Sequence, residues 1–211
     1  SFGRQIQNFY DIVAANPELN PRVLSMRYGG WDSHNNQRRI PTVLADDPNT
    51  TESRGIESGF RDIFGGQFGN TPSDGNALHG GFSALWESLP NQGDRNNIVL
   101  TMAGEFGRQI RDNGDAGTDH GKGNLMLVIG EQCRGGVYGE MFPESEVDKY
   151  DNTRLNTPDI DARTEMDPLF AAVCDWVLPN SGQDVFPRMK SNFTGEKPII
   201  ERAGMFDSLM I

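Results

Sequence analysis

Thiol chemistry is nearly absent from this chain. Its two cysteines, Cys133 and Cys174, have no CxxC or CxxH spacing, which argues against a thiolate zinc site. Whether they pair is left open, because a disulfide depends on geometry that spacing does not supply. No apolar run approaches the ~20 residues a membrane-spanning helix needs. Basic residues are few, with 19 Lys and Arg against 30 Asp and Glu, a formal charge of −11. That balance argues against a nucleic-acid partner, which demands many phosphate contacts, and against docking on anionic lipid. Repeats and low-complexity tracts are missing too. Histidine is scarce, with three in 211 residues.

Two of those histidines fall in short motifs bracketed by glycine: GGWDSH at 29–34 and GTDHG at 117–121, with GEFGR at 104–108 between them. Each motif is a cluster of possible metal ligands. Packing alone explains such concentration poorly, since a buried carboxylate or imidazole needs a partner or a metal to offset its desolvation. The length suits one α/β domain with a sizeable core, or two small ones.

Helical and strand patterns alternate. Residues 1–16 read as a helix with Ile6, Phe9, Tyr10 and Val13 on one face. A chain that opens inside a helical pattern is expected to be the C-terminal portion of something longer. Residues 22–28 read as a strand, and 35–71 as a long polar loop or lid. Ser73 or Asp74 caps a helix carrying Ala77, Leu78, Phe82, Leu85, Trp86 and Leu89, in which His79 is structural. Residues 98–103 and 125–129 are continuous apolar runs, as in strands covered on both faces. Pro168 opens a last helix through Leu178, and residues 180–211 read as an extended tail. Trp31, Trp86 and Trp176 serve the core. The expected fold is therefore α/β, a mostly parallel sheet with helices on both faces, as a single domain over 1–211.

Ligands collect beyond the carboxyl ends of strands in open sheets of that kind. Asp32 and His34 lie past the first strand, Glu105 past the second, and Asp119 and His120 before the third. Asp32 and His34, an i, i+2 pair, can reach one ion from an extended segment. Carboxylate with imidazole suits Zn or Mn better than Ca. Glu105 can hold a second ion, and Arg108 can clamp an oxyanion bidentately. Two metals with an arginine suit hydrolysis of phosphate or sulfate esters. The plain alternatives are a turn cap at Asp32, a loop hydrogen bond at His34 and a Glu105–Arg108 salt bridge.

The three motifs in this order, followed by GNLMLVIG and GGVYGEM, resemble a family of exported bacterial proteins of unassigned function. Its pattern is GGWDTH, then SEFGR or GEFGR, then GTDHG. That family is in turn similar to the alkaline phosphatase and sulfatase superfamily. The resemblance implies a parallel sheet with one or two divalent ions (Zn, Mn or Ca) at the strand ends. Asp32, His34 and His120 would hold one ion, Glu105 would contact the second, and Asp119 would support a ligand. The superfamily's early Asp ligand and its Ser or Thr nucleophile have no counterpart in this chain and are expected upstream. A twin-arginine export signal is implied as well, hence the periplasm or cell exterior.

Two functions follow as expectations. One is a metal-dependent hydrolase acting on a small anionic ester, represented here by its metal-binding half. The other is a non-catalytic structural or assembly protein that keeps the fold, with a protein partner covering exposed sheet edges.

Overall fold

The structure, a computed structural model, describes residues 2–15, 17–19, 21–29, 31–35, 37, 59–60, 63–65, 80–89, 92–138, 144–146, 159–162, 165–187, 207 and 209–211. These fall in two compact units. The first is Ser1–Arg95 with Asn113–Thr118, and the second is Asn96–Asp112 with Asp119–Ile211.

In the first unit, helix α1 (Phe2–Ala15) forms as its apolar spacing predicts, burying Phe2 and Ile6. Helix α2 (Phe82–Ser88) buries Phe82, Ala84 and Leu85. The start expected for it at Ser73 or Asp74, with His79, lies outside the described residues. Six aromatic rings, from buried Phe2 and Phe82 out to the exposed Phe60, form a closed circuit beside this core. Phe2 meets Tyr28 at 5.5 Å and Phe82 at 5.6 Å. Tyr28 meets Trp31 at 5.6 Å, and Trp31 meets Phe60 at 5.1 Å. Phe64 closes the circuit, 6.2 Å from Phe60 and 6.1 Å from Phe82. Five of the six contacts are edge-on, the arrangement that ring quadrupoles prefer. Trp31 is thus anchored on both sides, immediately before Asp32.

The strand expected at 22–28 is not one. The segment is extended but joins no sheet among the described residues, and Val23 is 76% exposed. A side chain takes the place of a neighbouring strand: the Gln5 amide donates to the Arg27 carbonyl at 2.8 Å and accepts from the Arg27 N–H at 3.0 Å. The backbone groups of Arg27 are satisfied from α1, so no ladder is required there.

Helix α3 (Gln92–Asn96) runs into the second unit, which holds β1 (Leu100–Ala103), β2 (Gly107–Asp112), β3 (Thr118–Gly121) and β4 (Met126–Ile129). The mostly parallel sheet is overturned here. β1 pairs antiparallel with β4, Leu100 opposite Ile129 and Ala103 opposite Met126, while β2 and β3 make a separate two-stranded sheet. The physical reason lies between β1 and β4. A parallel pair needs a crossover of a dozen or more residues, usually helical, whereas this stretch is spent on the β2–β3 hairpin. The runs are also not covered on both faces, since Ala103 is exposed and Leu127 is 40% exposed.

Helix α4 (Met166–Val177) starts one residue before the expected Asp167-Pro168, and the short α5 (Ser181–Val185) follows it. Ala172, Leu209 and Met210 form the core beside them, with Val99, Cys133, Leu169 and Trp176 packed against it. The end of the chain is held by backbone bonds: Arg134 N–H donates to Leu209, and Ile211 N–H donates to Gln132.

Both cysteines are free and half-buried. Burial pushes the Cys133 thiol above the usual 9.0, and burial aided by the Asp175 charge does the same for Cys174. The folded state then holds its thiol protons more tightly than the unfolded chain. Stability is expected to be flat below pH 9 and to fall as pH rises past it, because the unfolded thiols ionise first. Urea midpoints at pH 8 and pH 10 check this, and a cysteine-free variant should lose that part of the decline.

Candidate functional site

Trp31–His34 of GGWDSH sit in the first unit, with exposure alternating along the four residues. Asp32 and His34 point outward, with side chains 56% and 48% exposed, and His34 Nε2 lies 3.0 Å from Asp32 Oδ1. Ser33 turns inward, its Oγ buried with no hydrogen-bond partner among the described residues. The i, i+2 spacing therefore does bring the two donors together. Exposed to this degree, the ion pair alone adds little stability.

The segment is braced by the loop Asn113–Thr118, which belongs to the same unit. Asn113 Nδ2 donates to the His34 carbonyl at 2.7 Å, and Gln37 N–H donates to the Ala116 carbonyl at 2.8 Å. Thr118 Oγ1 bonds Gln37 Oε1 at 3.1 Å. Asn113 also accepts from Asp115 N–H, and its own N–H donates to Gly117, closing the loop on itself. Ala116 is held at φ 57°, an uncommon region for a residue with a Cβ. Gly117, the first glycine of GTDHG, packs so tightly that a Cβ there would overlap the His34 carbonyl. The first and third motifs thus meet through backbone.

In the second unit the other motifs form one hairpin. Arg108 lies on β2, Asp119 and His120 on β3, and Glu105 is exposed on the bend between β1 and β2. A Cβ on Gly107 would overlap the Gly123 carbonyl, and one on Gly121 would lie 2.6 Å from the Arg108 carbonyl carbon. Phe106 is the ring at the centre. His120 stacks on it at 3.9 Å and 12°, and the Arg108 guanidinium lies 5.0 Å from its centroid. Among the described residues no ion pair joins Glu105 to Arg108. As strand neighbours, Asp119 and His120 face opposite sides of the hairpin.

Sequence reasoning missed Asn113, Gln37 and Phe106. Asn113-Gly114 is a strong hairpin signal that would have revealed the turn, and with it the pairing of GEFGR with GTDHG.

At 3.0 Å the carboxylate oxygen and imidazole nitrogen are in direct contact with each other, and both are donor types that divalent ions take. Carboxylate and imidazole make a donor set for Zn or Mn. A chain offering such donors on short glycine-bracketed motifs is a candidate metal-binding protein. Residues 57–168 match the family described as protein of unknown function (DUF1501), and the chain belongs to that family. The matched span contains GEFGR and GTDHG, while GGWDSH lies ahead of it. No curated protein and no solved structure matches the chain.

Proposed function

We propose that this chain is the metal-binding part of an exported metal-dependent hydrolase of phosphate or sulfate esters. The carrying observation is the outward-facing Asp32–His34 pair with its donor atoms 3.0 Å apart. In this reading the two residues hold a divalent ion and His120 is the third ligand. The third member rests on the family resemblance alone.

Glu105 is assigned to a second ion and Asp119 to support of a ligand. The ion supplies Lewis-acid polarisation of the ester's oxygen. Arg108 would contribute charge-assisted hydrogen bonds to the oxyanion from its place over the Phe106 ring. The chain supplies no nucleophile in this reading, and export rests on resemblance alone.

Calorimetry with inorganic phosphate and sulfate tests the proposal. Anion binding is expected only with Zn or Mn present, and about tenfold weaker in Arg108→Ala, the loss of one charged contact. Absence of anion binding with either metal present contradicts it.

One observation favours the second reading, a non-catalytic structural or assembly protein. Gly107, Gly117 and Gly121 are accounted for by close backbone approach alone, so part of each motif is explained by packing without any chemistry. In that case a protein partner would cover the open edges of the two-stranded sheets.

A further inference from the structure

Phe106 sits inside a motif otherwise read for its charges, and no role in the proposed chemistry falls to it. Its surroundings are unusual. The His120 imidazole lies nearly parallel to it, 12° between planes with centroids only 3.9 Å apart. Near-parallel rings at this separation are in close stacked contact, so the plane of one fixes the plane of the other. The Arg108 guanidinium lies over the same ring at 5.0 Å, where a cation is attracted to the aromatic face. Phe106 thus touches both the imidazole and the guanidinium of the two motifs.

The ring is also held in place. Asn124 Nδ2 donates to the Phe106 carbonyl at 2.9 Å, and its Oδ1 accepts from Leu125 N–H at 2.7 Å. A Cβ on Gly104 would lie 2.6 Å from that same Asn124 nitrogen, so the amide runs closely along the 104–106 backbone. Gly107 follows with no room for a side chain. The backbone is therefore braced on both sides of Phe106.

We infer that Phe106 is a positioning residue: its face sets the plane of the His120 imidazole for metal binding and steadies Arg108 for the anion. The inference rests on the metal-binding reading of His120. It acts as partners around a metal ligand do, fixing the ring whose nitrogen donates.

The test uses Phe106→Leu, which keeps apolar bulk, and Phe106→Tyr, which keeps the ring. With three histidines in the chain, the imidazole proton signals in an NMR spectrum are few, and a His120→Gln variant identifies those of His120. In metal-free protein the His120 signals are expected upfield, shielded by the Phe106 ring current, in the native chain and in Phe106→Tyr. They are expected at ordinary positions in Phe106→Leu. Zn affinity by calorimetry should fall about tenfold in Phe106→Leu, the low end for losing such a partner, and stay near native in Phe106→Tyr. Unshielded His120 signals in the native chain, or Zn affinity unchanged in Phe106→Leu, would overturn the inference. A native chain that binds no Zn sinks the metal reading instead, and the stacking role is then decided by the signals alone.

Discussion

Replacing Gly117 by alanine is expected to destabilise the first unit by about 2–3 kcal/mol, the range for forcing extra atoms into a packed site. The new Cβ would overlap the carbonyl oxygen of His34, and a backbone oxygen has no rotamer by which to yield. Relief requires the loop Asn113–Thr118 to move off the 34–37 segment. That movement breaks Asn113 Nδ2 to His34, Gln37 N–H to Ala116, and Thr118 to Gln37 together. Metal affinity is expected to fall with stability, because His34 loses the bond that fixes its carbonyl. Urea unfolding followed by tryptophan fluorescence reads the first effect, since Trp31 belongs to the aromatic circuit of the same unit. A midpoint equal to the native one would show that the loop does not press on His34.

Gly107→Ala carries an effect of similar size, about 2–3 kcal/mol, by the same mechanism in the second unit. Gly107 is buried, and its Cβ would overlap the Gly123 carbonyl and lie 2.9 Å from that of Gly121. Backbone therefore crowds it where β2 passes the residues after β3. Gly114→Ala is the informative contrast. Gly114 lies in the left-handed region at φ 95° with nothing within 4 Å of its Cβ position. Its cost is conformational only, about 1 kcal/mol. Measured side by side, Gly107→Ala should lower the urea midpoint clearly more than Gly114→Ala. Equal losses would mean that turn conformation, not close approach, decides why glycine stands in these motifs.

The two longest helices were the most legible part of the chain, whereas the short α3 was not read and α5 falls inside what reads as an extended tail. α1 announced itself through Ile6 and its neighbours at helical spacing, and α4 through Pro168 in its first turn. The apolar runs that became β1 and β4 were legible as strands but not in direction. Leu100–Ala103 and Met126–Ile129 contain the same residue types that a parallel strand would, and orientation is set by what the intervening chain does. That chain holds Asn113-Gly114, whose turn commits it to a hairpin and leaves no crossover. Residues 22–28 misled for a different reason. Their backbone groups are partly met by the Gln5 side chain, a long-range bond with no periodic trace in sequence.

The candidate site was legible as donor types and less so as architecture. Asp32 and His34 come together as their i, i+2 spacing requires. The motif glycines Gly107, Gly117 and Gly121 mark places where backbones touch, which donor types do not reveal. Phe106, set between Glu105 and Gly107, drew no notice because an aromatic in a short motif carries no ligand signal. Only its contacts with His120 and Arg108 give it meaning.

Metal content of the purified chain tests the central claim most directly. The native protein, incubated with Zn, Mn or Ca and exhaustively dialysed, is compared with the Asp32→Ala, His34→Ala double variant by elemental analysis. The account predicts one or two divalent ions per chain in the native protein and loss of at least one in the variant. No bound ion in the native chain, or an equal content in both, contradicts it and leaves the motifs as the braces of a structural protein.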